Sequence, residues 1–198
     1  MKILGIIVGA LLLLGVFIVP QYNKFPALDE GVTEKWSQVQ NQYKRRADLI
    51  PNLVSTVQGY AEHEKGVFTE VTEARSKVSN ITLDASSLND PAKVKAFLEA
   101  QNSLGGALSR LMAVSENYPQ LKADQNFITL QNQLEGTENR ISVARKDYIT
   151  AVKEYNVALR TFPGNLVAKF LHPSLSPKAN FEASEAEQSA PAVNFEKK

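Results

Sequence analysis

The chain has 198 residues, with 22 Lys and Arg against 21 Asp and Glu and a net charge of +1. That balance excludes the concentrated basic surface that nucleic-acid phosphates require. The absence of Cys removes disulfides, thiolate nucleophiles and cysteine metal sites together.

Residues 3–19 form an unbroken run of apolar residues and Gly after Met1 and Lys2. As a helix the run spans about 25 Å at about 1.5 Å per residue, the short end of what crosses a bilayer. Pro20 ends it, and Gln21, Tyr22, Asn23 and Lys24 follow as a polar flank with an interfacial aromatic. A cleaved signal peptide shares the charged start and apolar core. Phe17, Ile18, Val19 and Pro20 are too bulky for a cleavage site, which favours a retained single-pass transmembrane anchor at 1–22. The count of positive charges ties on its two sides, Lys2 and the terminal amine against Lys24 and Lys35, so orientation is left open.

From Val32 the apolar positions alternate steps of four and three: Val32, Trp36, Val39, Tyr43, Arg46, Ile50, Leu53, Val57, Tyr60, Glu64, Val67, Val71, Ala74, Val78, Ile81. A heptad sustained this long reads as a coiled-coil-like helix. Pro51 lies inside it and predicts a bend near residues 48–52. The stripe keeps its phase across Pro51, which favours one bent helix over residues 32–81.

Residues 80–91 are rich in Asn, Asp and Ser and read as a loop. Asp90 followed by Pro91 is a helix start, a capping carboxylate before a proline in the first turn. The second helix shows Val94, Phe97, Gln101, Leu104, Leu108, Leu111 and Ser115, with Gly105 and Gly106 weakening its middle. Tyr118 and Pro119 break it. A third helix, about residues 124–162, carries Phe127, Leu130, Leu134, Thr137, Ile141, Ala144, Tyr148, Ala151, Tyr155, Ala158 and Phe162 on one stripe, and Pro163 and Gly164 end it. Leu166, Val167, Phe170 and Leu171 form a short apolar segment suited to capping the bundle. From Pro173 the Ser, Ala, Pro and Glu content predicts a disordered tail over 173–198.

The fold class expected is all-α: an N-terminal transmembrane helix, then an elongated antiparallel helical bundle over 23–172. Helices of about 75, 40 and 55 Å are unequal, and the short one cannot cover both long stripes. Part of the first stripe is then expected to meet another subunit, the short C-terminal segment or the membrane surface, unless the helices curve and the loops fold back to cover it; self-association, giving a homo-oligomer, is favoured.

Several segments, in order, are those of a known family. They are Tyr22-Asn23, Trp36-Ser37-Gln38-Val39, Arg45-Arg46-Ala47-Asp48-Leu49-Ile50-Pro51-Asn52-Leu53-Val54, His63-Glu64 and Ala74-Arg75. Then come Glu116-Asn117-Tyr118-Pro119-Gln120-Leu121-Lys122-Ala123, Leu134-Glu135-Gly136-Thr137-Glu138-Asn139-Arg140-Ile141, Ala144-Arg145 and Tyr155-Asn156. Over residues 1–172 the chain resembles the LemA family of bacterial membrane proteins. Asp147-Tyr148-Ile149 departs from it, where the family often has Asn after Tyr. The resemblance implies a long antiparallel bundle behind a single anchor in the bacterial cytoplasmic membrane.

The charged positions on the stripe, Arg46 and Glu64, are costly to bury unless paired. They read as an internal ion pair or an intersubunit contact that sets register, rather than as a catalytic or ligand pair. Gln101 and Thr137 are placed to complete such polar layers. Candidate structural and assembly residues are thus Trp36, Arg46, Asp48, Pro51, Glu64, Arg75, Tyr118, Glu138 and Arg145. His63-Glu64 lacks the second His a zinc-protease helix needs, because position 67 is Val. Lys44, Arg45 and Arg46 form a basic cluster for which Asp48 is the expected partner. In the tail, Val193 and Phe195 fit either strand addition to a partner or a plain spacer. No phosphate loop, carboxylate dyad or nucleophile motif stands out, so neither cofactor nor catalysis is expected. The function expected is a membrane-anchored helical scaffold or adaptor with a membrane or envelope protein as partner. The alternative is a protein that binds or remodels lipid through amphipathic helices.

Overall fold

The computed structural model describes residues 2–181, so the tail positions Val193 and Phe195 lie outside the described residues. Helix α1, Lys2–Gln58, is continuous and contains Pro20, Pro26 and Pro51. Then come α2, Lys65–Asn80, α3, Pro91–Ser115, the single turn α4, Pro119–Lys122, α5, Gln125–Arg160, and α6, Gly164–Leu171. Among the described residues there is no strand.

The chain runs up α1, down α2, up α3 and down α5. Cross-contacts fix these directions. Arg75 of α2 reaches the Ala47 carbonyl, and Trp36 Nε1 donates to the Leu83 carbonyl after α2. Phe97 of α3 packs edge-on against Trp36 and Tyr43. Tyr60 meets Asp124 at one end of α5 and Trp36 meets Tyr148 further along. The start of α3 is capped as expected, Asp90 Oδ1 accepting the N–H groups of Ala92 and Lys93; Asp124 Oδ1 likewise accepts that of Phe127 at 2.9 Å at the start of α5.

Three expectations are corrected. The stripe over 32–81 belongs to two helices: the chain reverses at residues 59–64, not at Pro51. Gly59, a poor helix former, sits at the break, where the Tyr60 and Ala61 N–H groups both bond the Val57 carbonyl. Reversal lets Phe68, Val71 and Ala74 bury beside Ile50, Leu53 and Val57, which a single long helix would leave uncovered. The unequal-length argument for self-association thereby loses its basis, because the surplus of the first stripe is covered within the chain.

The apolar N-terminal run is likewise no separate element ended by Pro20, since α1 continues through it. Among the described residues no helix is long and apolar enough to cross a membrane, so the transmembrane helix expected at 1–22 is not found as such.

Finally, residues 173–181 are no loose tail but a strap on the bundle. The Ala179 N–H donates to the Leu88 carbonyl at 2.7 Å. The Asn156 amide pairs with both the N–H and the carbonyl of Lys178, at 2.9 Å each. Tyr148 donates to the Ala179 carbonyl. Phe181 packs against Trp36 and Tyr148 and under the Arg145 guanidinium.

Candidate functional site

Two places concentrate unusual chemistry: a polar layer across the middle of the bundle, and the end of the bundle where α1, α6 and the strap meet.

The polar layer separates two apolar clusters, one centred on Trp36, Phe97 and Tyr148, the other on Leu53, Leu104 and Leu134. Arg46 is 4% exposed. One guanidinium nitrogen lies 2.9 Å from Glu138 Oε1. The other bonds the backbone carbonyl of Gln101 at 3.2 Å and its side-chain oxygen as well, and the group lies 5.1 Å from the centre of the Tyr43 ring. Arg46 therefore does pair internally, but with Glu138 and Gln101. Its Nε is buried and unpartnered. Thr137, fully buried, satisfies its hydroxyl on the Gln133 carbonyl of its own helix. Beside the layer is a cleft of about 340 Å³ lined by Tyr43, Arg46, Asn102, Glu138, Ser142 and Arg145 among others. Burial raises the Tyr43 phenol above its ordinary value, against the opposing pull of Arg145 and Arg46. Arg46 and Glu138 are thus bonded to each other at the edge of this cleft. Among the described residues no group of three metal-ligating side chains occurs.

The remaining candidates separate. Glu64 sits at the start of α2, half-buried, where its carboxylate faces the Tyr118 hydroxyl at 3.5 Å. Asp48 pairs with Lys44 on the exposed face. Trp36 is 1% exposed and anchors the loop after α2.

Pro51 and Arg75 belong together. A proline cannot donate to the carbonyl four residues before it, which here is Ala47. Arg75 Nε supplies the missing donor at 3.1 Å. The same device recurs at the bundle end: Pro26 leaves the Tyr22 carbonyl without its helical donor, and His172 Nε2 lies 3.2 Å from that oxygen. A carbonyl only accepts, so the ring nitrogen there carries the proton. His172 also stacks on Tyr22, with ring centres 4.3 Å apart, and meets Phe25 edge-on. Sequence reasoning named Pro51 and Arg75 without joining them and gave His172 no role. The position of each proline identifies the carbonyl that lacks a donor, but which side chain reaches it depends on the fold.

At this end α6 packs Val167 and Ala168 onto the fully buried Phe25. Gly164 lets it approach closely: a Cβ there would overlap the Ala158 carbonyl and sit 3.3 Å from the Phe25 ring. Nearer the start of α1, several apolar side chains are exposed among the described residues, Ile3 at 75%, Ile6 at 71% and Leu12 at 67%.

The fold and these sites define an all-α up-down-up-down bundle with one buried polar layer and an apolar helical extension at one end. Residues 35–195 match the model of the LemA family, and the chain belongs to that family. It is 29% identical over 164 residues to magnetosome protein MamQ 2 of Paramagnetospirillum magneticum, covering 75% of this chain and 60% of that protein. It is 27% identical over the same length to MamQ of Magnetospirillum gryphiswaldense. Protein LemA of Metamycoplasma hominis is 30% identical over 152 residues, 77% of this chain and 64% of that protein. The chain thus spans less than two thirds of the length of these relatives.

Proposed function

We propose that the chain is a membrane-held, non-catalytic helical scaffold, with the apolar start of α1 embedded in lipid and the bundle displayed in water. The observation that carries this is the continuity of α1: the helix whose later turns form the core begins with exposed apolar side chains, among them Ile3, Ile6, Leu12 and Val16. The sequence there holds no charged residue over 3–19. An uncovered apolar surface of this extent is costly in water and rare on soluble monomers. Helical hydrogen bonding satisfies the backbone that lipid would otherwise leave unpaired. The non-catalytic reading is supported by the pairing of Arg46 with Glu138 and Gln101 within the polar layer. Membership of the LemA family, whose resemblance implied an anchored bundle, is in keeping with it. The scaffold's partner-recruiting segment is the chain after the strap, including Val193 and Phe195.

Alkaline carbonate extraction of bacterial membranes containing the full chain tests the attachment. The protein is expected to stay with the sedimented membranes, and a variant carrying Leu12→Glu and Leu13→Glu to be released. Release of the unaltered chain would sink the proposal.

A further inference from the structure

Helix α6 is apolar on two sides, and only one is covered. Val167 and Ala168 face the bundle. On the other side Leu166 is 47% and Phe170 72% exposed, and Phe162 in the preceding turn is 79% exposed. Leu166 and Phe170, four apart, share one face of α6, and Phe162 stands just before the helix. An exposed apolar face of this size on a short helix commonly marks a contact surface.

Its position says in what. Through Phe25 and the Tyr22–His172 stack, α6 and the residue after it sit level with residues 22–25 of α1. That is one to two turns, roughly 5–9 Å, beyond the end of the apolar run at Val19. If the run lies in acyl chains, this level is the headgroup layer, where aromatic side chains and snorkelling cations concentrate.

The charge at this end agrees. Residues 1–28 and 155–181, which build most of it, contain no Asp or Glu, and Asp29 and Glu30 follow directly on α1. Lys24, Arg160 and Lys169 are exposed there. Lys178 is taken up by Asp29 at 2.9 Å. Lys169 lies over the Phe170 ring, and among the described residues none of Lys24, Arg160 and Lys169 meets a carboxylate; exposed apolar side chains flanked by such cations fit an anionic lipid surface.

We propose that α6 is a second membrane contact, with Phe162, Leu166 and Phe170 inserted in the headgroup layer of an anionic bilayer and Lys24, Arg160 and Lys169 facing lipid phosphates. The depth assignment rests on the proposed embedding of α1. Two contacts instead of one would fix the tilt of the bundle, so that its long axis is held by the membrane rather than swinging about residues 20–24.

Full-length Phe170→Trp and Leu12→Trp variants, reconstituted in vesicles of equal parts phosphatidylcholine and phosphatidylglycerol, test this with lipids brominated high or deep on the acyl chain. The sole native Trp, Trp36, is buried in the bundle and the unaltered chain gives the baseline. For Phe170→Trp the added fluorescence is expected to fall by about half with shallow bromines and less with deep ones. Leu12→Trp should show the reverse order. Quenching of Leu12→Trp alone would overturn the α6 contact and leave the embedding of α1 standing. Quenching of Phe170→Trp alone would keep the α6 contact and overturn the embedding. Quenching of neither would overturn both. A blue-shifted, unquenched Phe170→Trp signal would mean that protein, a second copy or another chain, covers the stripe, and would also overturn the proposal.

Discussion

If Arg75 replaces the donor that Pro51 lacks, the two residues must be energetically coupled, and a double-mutant cycle on Pro51→Ala and Arg75→Met reads that coupling. Methionine keeps the length of the Arg75 stem and removes the Nε–H that lies 3.1 Å from the Ala47 carbonyl. Ala47 and Arg75 are both half-buried, so water reaches the orphaned oxygen in part. The cost then falls in the lower part of the range for an unsatisfied buried acceptor, about 1–2 kcal/mol. Pro51→Ala restores a helical N–H aimed at the same carbonyl. Removing proline from a helix interior gains up to about 3 kcal/mol, offset by about 1 kcal/mol of unfolded-chain entropy, so about 1–2 kcal/mol of stabilisation is expected. In that background Arg75→Met should cost under about 0.5 kcal/mol, a coupling of about 1 kcal/mol. Urea unfolding of the four full-length proteins in mild detergent, followed by helical circular dichroism, supplies the numbers. Costs that add to within about 0.3 kcal/mol would refute the compensation.

Three further outcomes follow from the packing. Asn156→Ala removes both bonds to Lys178; it should cost about 1–2 kcal/mol and speed trypsin cleavage after Lys178, whereas unchanged cleavage would mean that Phe181 and Tyr148 alone hold the strap. Gly164→Ala places a methyl group against the Ala158 backbone and should cost about 1–3 kcal/mol by overpacking, seen as a lowered thermal midpoint. Burial raises Tyr148, and burial with the nearby Asp29 carboxylate raises Tyr155 from an ordinary 10.0 to about 12. A folded-state value above the unfolded one stabilises fully below the unfolded value and is lost as pH climbs through the folded one. Stability should therefore fall between about pH 10 and 12, with late phenolate absorbance rising together with loss of helix; full phenolate absorbance before any helix loss would contradict it.

Much of the bundle is legible in the sequence because its signals are local. Asp90-Pro91 and Asp124 mark helix starts, and the stripes of α3 and α5 name buried residues from Val94 to Leu111 and from Phe127 to Ala158. The α1–α2 reversal is not legible from the stripe. Tyr60 and Glu64 happen to continue the four-three spacing through the turn, so periodicity reports a single helix where two lie antiparallel. Gly59 is the local clue, and the decisive cause is non-local: Phe68, Val71 and Ala74 bury only if the chain turns back. The strap fails for the same reason. Its own composition cannot order it, and the groups that do, Asn156, Tyr148 and the Leu88 carbonyl, belong to other elements. Arg46 was marked as a buried charge needing a partner. The choice of Glu138 and Gln101 over Glu64 again follows from the reversal, which leaves Glu64 at the far turn beside Tyr118.

The central claim, an apolar start of α1 in lipid beneath a bundle in water, is tested most directly by thiol accessibility, because the chain has no Cys of its own. Full-length Leu12→Cys and Ser109→Cys proteins, the second altered on the exposed face of α3, would be treated with a charged maleimide in membranes opened by freeze–thaw. Ser109→Cys should react readily, and Leu12→Cys only after the bilayer is dissolved in dodecyl sulfate. Equal labelling of the two in intact bilayers would contradict the account.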